Sequence, residues 1–123
     1  MVEINIFKHA ADAVVVDAGS VLFREGDAGD VMYAVVEGEI DLLLGDTVVE
    51  TVGAGGSLGE LALIDPAPRS AAARARSTAK VVRVDERQFT FLVHEHPTFA
   101  LQVMRIMAER LRHTNEGMRS RGV

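Results

Sequence analysis

The chain has 123 residues, 18 acidic against 13 basic side chains, and a net charge of −5. That length is enough to bury one small core, and the acidic balance argues against nonspecific binding to nucleic acid. Cysteine is absent, which removes disulfides, thiolate nucleophiles and cysteine metal sites and agrees with a cytoplasmic location. No apolar run approaches the roughly 20 residues that span a membrane, and Met1 to Ile6 lacks the basic start and apolar stretch of a signal peptide.

From the N-terminus, residues 3–10 are compatible with a short helix, or with an arm over 1–11. Val14-Val15-Val16, Val21-Leu22-Phe23, Val31 to Val36, Ile40 to Leu44 and Thr47 to Val52 are β-rich runs separated by glycine and aspartate. Their close spacing predicts an all-β sandwich or barrel, with Gly45-Asp46 as a tight hairpin turn. The acidic loop Glu25-Gly26-Asp27-Ala28-Gly29-Asp30 lacks the ligand spacing of a calcium loop and reads as glycine turns between solvated acids. Further strands are expected over 70–76 and 79–84, where Val81-Val82-Arg83-Val84 alternates as a half-buried strand should.

Helices are expected over 86–116, the last starting near Pro97 at a first-turn position, with 117–123 as a tail. That last helix carries two apolar stripes: Ala100, Met104, Met107 and Leu111, and Phe99, Val103 and Ile106. One stripe should cover the strands. The other is then free to cap a ligand or to pair with a second copy.

Arg69, Arg74, Arg76, Lys80 and Arg83 cluster in sequence. Without stacking aromatics they read as solvated positions, Arg69 excepted. His94 and His96 lie one residue apart, but His9 and His113 are far off in sequence, so no metal site is expected. Ser57 and Ser70 have no neighbouring histidine, and no catalytic residue is expected.

The most informative stretch interrupts the β pattern. Gly53, Gly55 and Gly56 lead to Gly59-Glu60 and one apolar turn, Leu61-Ala62-Leu63-Ile64, which Asp65-Pro66-Ala67-Pro68 breaks before Arg69-Ser70. A helical turn in a strand-rich domain leaves N–H groups that need partners and can hold an anion. Arg69 adds a planar donor fork suited to phosphate. Glu60 only accepts hydrogen bonds, which suits a sugar hydroxyl rather than a phosphate. Donors for a phosphate plus an acceptor for a ribose describe a nucleotide monophosphate site. The competing reading is an Arg69–Glu60 surface ion pair beside an ordinary turn, worth ~0–1 kcal/mol.

Gly59-Glu60-Leu61-Ala62-Leu63 followed by Pro68-Arg69-Ser70-Ala71 resembles the phosphate-binding cassette of the cyclic nucleotide-binding domain family. The likeness extends upstream through Gly19 to Asp27 and Val31 to Gly38, and downstream through Val81 to Asp85 and the last helix, covering residues 12–115. The resemblance implies an antiparallel β-barrel or jelly roll with flanking helices, a barrel over 12–85, the cassette at 58–72 and C-terminal helices. It also implies that Glu60 accepts from the ribose 2′-OH and that Arg69 holds the exocyclic phosphate oxygens. The N–H groups of Leu61, Ala62 and Ala71, beside Gly59, would complete the cradle, with Ser70 on the phosphate or the purine. Serine after the cassette arginine occurs with either purine in the family. Cyclic AMP is the expected ligand, with cyclic GMP as the alternative.

The resemblance also implies a last helix that moves on ligand binding. After Asn115 too few residues remain for a helix-turn-helix. The expectation is therefore a sensor without a built-in output domain, or a domain cut from a longer protein, acting through an effector or a second copy. The alternative is an interaction module with the same fold that has lost its ligand.

Overall fold

The computed structural model describes residues 6–7, 10–65 and 67–120, with side chains described as far as 112. The helix expected at 3–10 lies largely outside them. Within it, Ile6 and Phe7 form a turn, and the Ala10 N–H donates to the Phe7 carbonyl at 3.0 Å.

Each β-rich run becomes a strand. These are β1 (Val14–Val16), β2 (Val21–Phe23), β3 (Val31–Glu37), β4 (Ile40–Leu44), β5 (Thr47–Val52), β7 (Ala72–Ala75) and β8 (Ala79–Asp85). A further strand, β6 (Ser57–Leu58), is too short for periodicity to announce. The strands pair antiparallel in two sheets, β1-β8-β3-β6 and β2-β7-β4-β5. The expected jelly roll is therefore open, with no closed barrel among the described residues. Closure needs an unbroken ladder, and the three-residue strands β1 and β2 and the two-residue β6 supply little of one. Gly45-Asp46 joins β4 to β5, as expected.

Two apolar cores flank the first sheet. Phe23, Tyr33, Val35, Ile40, Leu58 and Val81, drawn from both sheets, make the inner one. The outer core joins Met32 and Ala34 of β3 and Val82 and Val84 of β8 to Phe7, Phe99, Val103 and Ile106. Strand β8 thus sends residues into both cores, Val81 into the inner and Val82 and Val84 into the outer, while Lys80, Arg83 and Asp85 stay exposed. A half-buried pattern was expected because so short a run does not announce what packs on its second face, here Phe7, Phe99, Val103 and Ile106.

Helix α1 (Leu61–Ile64) is the single turn before Asp65, α2 runs Glu86–Glu95 and α3 Thr98–Ser120. α2 starts at a reciprocal capping box: Asp85 accepts from the Gln88 N–H at 2.8 Å, and the Gln88 side chain accepts from the Asp85 N–H at 3.0 Å. His94 and Glu95 lie in its last turn and His96 caps it, just before Pro97. α3 continues through Gly117, where a tail was expected; a glycine inside a helix costs about 1 kcal/mol and does not forbid it. Of its two stripes, Phe99, Val103 and Ile106 are buried, while Met104 is 54% and Leu111 62% exposed. Arg74, Arg76, Lys80 and Arg83 are exposed, as expected. No helix among the described residues is long and apolar enough to cross a membrane.

Phe99 is fully buried, with ring centroids 5.8 Å from Phe7 and 5.2 Å from Phe89. Phe99→Ala should cost about 3–5 kcal/mol in urea unfolding, the range for a truncated core aromatic. Leu111→Ala should stay within about 0.5 kcal/mol of the parent, as surface changes do.

Candidate functional site

The glycine run after β5 folds back on β3. Gly55 N–H donates to the Val35 carbonyl and Val35 N–H to the Gly56 carbonyl, both at 2.9 Å. This lays β6 along the sheet edge opposite Tyr33 and Ala34, and buries Ser57 and Glu60. α1 then makes its single turn, with Leu63 N–H on the Glu60 carbonyl at 3.0 Å and Asp65 N–H on the Leu61 carbonyl at 2.8 Å. Leu61 and Ile64 face solvent, and Leu63 packs against the outer core that α3 shares. Ala62 is buried, its N–H on the Gly59 carbonyl at 3.2 Å. Ser70 is exposed and Ala71 half-buried.

Arg69 is clipped by its backbone to the acidic loop. Its N–H donates to the Asp27 carbonyl and its carbonyl accepts from Gly26 N–H, both at 2.7 Å. The side chain turns inward and is only 8% exposed. Nη2 donates to the Val31 carbonyl at 2.7 Å and Nη1 to the Gly59 carbonyl at 3.2 Å. The guanidinium carbon lies 4.2 Å from the centre of the Phe23 ring, a cation–π distance. Nε is buried and finds no acceptor among the described residues. Burial lowers the pKa of this guanidinium, and nearby Tyr33, Asp30, Asp27 and Glu60 offset that only in part. It stays a cation throughout the physiological range.

Two glycines make room for this arginine. A Cβ on Gly29 would stand 2.6 Å from Arg69 Nε, and one on Gly59 2.6 Å from Nη1. Gly59 also has a φ of +76°, a conformation that other residues rarely adopt.

Glu60 is 3% exposed and its partners are not Arg69. Its Oε1 accepts from Ser57 Oγ at 2.6 Å. Arg110 of α3 donates from Nη1 to both Glu60 oxygens at 3.0 Å, from Nε to the two oxygens of Glu50 on β5 at 2.9 and 3.1 Å, and from Nη2 to the Ser57 carbonyl at 2.7 Å. Burial alone would lower the Arg110 guanidinium, but Glu60 and Glu50 reverse this and its pKa is raised. The expected site residues Gly59, Glu60, Leu61, Ala62, Arg69, Ser70 and Ala71 thus lie in one loop system, and the surface ion pair between Arg69 and Glu60 does not form. Arg110 and Glu50 were not singled out in the sequence. One signal existed: Arg110 continues the stripe Phe99, Val103, Ile106 at the next helical position, a charge in line with buried apolar residues.

Residues 13–96 match the cyclic nucleotide-binding domain. The chain belongs to the cyclic nucleotide-binding domain family. It is 32% identical over 108 residues to the lysophospholipase nte1 of Neurospora crassa, an alignment covering 84% of this chain and 7% of that protein. It is 27% identical over 105 residues to a CRP-like cAMP-activated global transcriptional regulator of Mycobacterium tuberculosis, covering 81% of this chain and 47% of the regulator. The chain therefore spans less than half the length of these relatives. A solved structure from a cyclic-GMP-dependent signalling pathway that regulates bacterial phytopathogenesis is 30% identical, with a TM-score of 0.73, covering 87% of this chain and 90% of that one. The family match is to a binding domain, not a catalytic one.

Gly29→Ala isolates the space around Arg69, because no unusual φ is involved at that position. The added methyl should displace the guanidinium and lower stability in urea by about 1–3 kcal/mol, the usual cost of overpacking.

Proposed function

We propose that this domain is a cyclic nucleotide receptor, preferring cyclic AMP to cyclic GMP, that passes binding on through α3 to an effector protein or a second copy in the cytoplasm. The observation that carries this reading is Arg69. Its two terminal nitrogens are engaged by the Val31 and Gly59 carbonyls, and its buried Nε is left without an acceptor. A buried donor without a partner costs about 1–3 kcal/mol, and an exocyclic phosphate oxygen would satisfy it. Glu60 then takes the ribose 2′-OH. The N–H groups of Leu61 and Ala71 support the phosphate beside Gly59. Ala62 N–H joins them by giving up its long bond to Gly59. Exposed Ser70 serves the phosphate or the purine edge. The preference for cyclic AMP is supported by the mycobacterial relative, and cyclic GMP by the phytopathogenesis structure.

A second reading, a dimerisation or interaction module that binds no nucleotide, is favoured by one observation: Leu101, Met104 and Leu111 leave an exposed apolar stripe on α3. Titration calorimetry on refolded protein separates the two. Cyclic AMP or cyclic GMP should bind one-to-one, and Arg69→Ala should weaken binding at least about tenfold while circular dichroism shows an intact fold. Glu60→Ala should weaken binding and reduce the preference for a ribose over a 2′-deoxyribose ligand. No heat from either nucleotide with folded protein supports the interaction module. Equal affinity of the parent and Arg69→Ala overturns the role given to Arg69.

A further inference from the structure

Helix α2 is held to the domain on one side only. Phe89, Leu92 and Val93 pack against the outer core, yet none of its ten residues is fully buried. The opposite side carries Phe91, 62% exposed, with Arg87 one turn before it and Glu95 one turn after. These three share one helical face, and Gln88 and His94 flank them in the open. Neither Arg87 nor Glu95 has an ion-pair partner among the described residues. Beside the Phe91 ring lies a shallow hollow of about 630 Å³, lined by Glu86, Arg87, Thr90, Phe91 and His94. A projecting ring next to a hollow, between a cation and an anion, makes a surface that complements itself.

We propose that this face of α2 is an interface between two copies of the chain, paired antiparallel about a two-fold axis at Phe91. Such an axis presents the same patch twice. Arg87 and Glu95 are equally far from Phe91 in opposite directions. Each Arg87 therefore meets Glu95 of the other copy, and each Gln88 meets His94. Each Phe91 ring enters the hollow beside the other ring, and paired rings attract beyond the area they bury. A parallel pair would set Arg87 on Arg87 and Glu95 on Glu95, and like charges so placed repel. A purely acidic or purely basic partner helix would match only half of the face. The interface uses neither the cassette nor the exposed stripe of α3, and it stands without the nucleotide-receptor reading. Two short helices bury less than a standard interface, so the dimer is expected to be weak, with a Kd of about 1–100 μM.

Sedimentation equilibrium of the full chain, from about 1 μM to 1 mM, tests this, with circular dichroism on every variant. The parent should dimerise, and Phe91→Asp should weaken the dimer at least about tenfold, as expected for a central aromatic anchor. Met104→Asp, on the exposed stripe of α3, should associate as the parent does. Arg87→Glu and Glu95→Arg should each weaken self-association, whereas an equimolar mixture of the two should form a heterodimer about as tight as the parent dimer, because the exchanged charges again oppose their complements. If Phe91→Asp unfolds the domain, this charge exchange decides alone. A monomeric parent overturns the proposal. So does association that survives Phe91→Asp, or that is lost in Met104→Asp, since either would place the contact elsewhere. A mixture that associates no better than its components overturns it as well.

Discussion

Two opposite charges are buried in one short loop system and are not paired with each other; the rest of the site is arranged around that constraint. Removing an ion from water costs several kcal/mol unless hydrogen bonds and countercharge replace the lost solvation. Arg69 meets the cost with two backbone carbonyls and the face of Phe23. Both carbonyls must point at one guanidinium, which fixes the start of β3 relative to the end of β6. Both glycines that pack on the guanidinium must lack a side chain. The acidic loop, which reads in sequence only as turns, proves to be the brace that holds the Arg69 backbone through Gly26 and Asp27.

Glu60 meets the same cost differently. Its cation belongs to α3 rather than to the strands. The site is therefore asymmetric: the arginine is supported by the β framework, and the carboxylate in part by a helix that is itself docked through Phe99, Val103 and Ile106. Leu63 of the cassette turn packs into that same outer core. Polar and apolar contacts thus both run between the cassette and α3. Surface pairs such as Lys80–Glu37, at 3.9 Å between two exposed side chains, contribute little by comparison.

The strands were legible because alternating and β-branched runs between glycines leave few other options, and the single helical turn Leu61–Ile64 because glycines before it and Asp65 after it interrupt that pattern. What stayed hidden has a physical pattern of its own. β6 is two residues long and is defined by its neighbour β3, not by its own composition. The second core that β8 reaches depends on Phe99 and Val103, which arrive late in the chain. The choice between the two stripes of α3 could not be read from spacing, since both are apolar and only the shape of the outer core selects Phe99 over Met104. Arg110 was hidden for the opposite reason: a charged residue on a helix is ordinarily a solvated one, and only its alignment with the buried stripe set it apart.

That alignment bears on how a signal would leave the domain. A ligand shifts a helix only by as much as it favours one position over another. The apolar contacts of Phe99, Val103 and Ile106 are non-directional and do not involve the cassette's polar groups. The hydrogen bonds of Arg110 are directional and end on the cassette carboxylate itself, so a difference made at the sugar has a route to α3 through them. A coupling of about 1–3 kcal/mol is typical of such linkage, and one charge-assisted bond, gained or lost, is of that size. The opposite face of the same helix carries Leu101, Met104 and Leu111 in the open. α3 therefore has one face tied to the cassette carboxylate and an opposite face open to solvent, and the two are joined by nothing longer than the width of the helix.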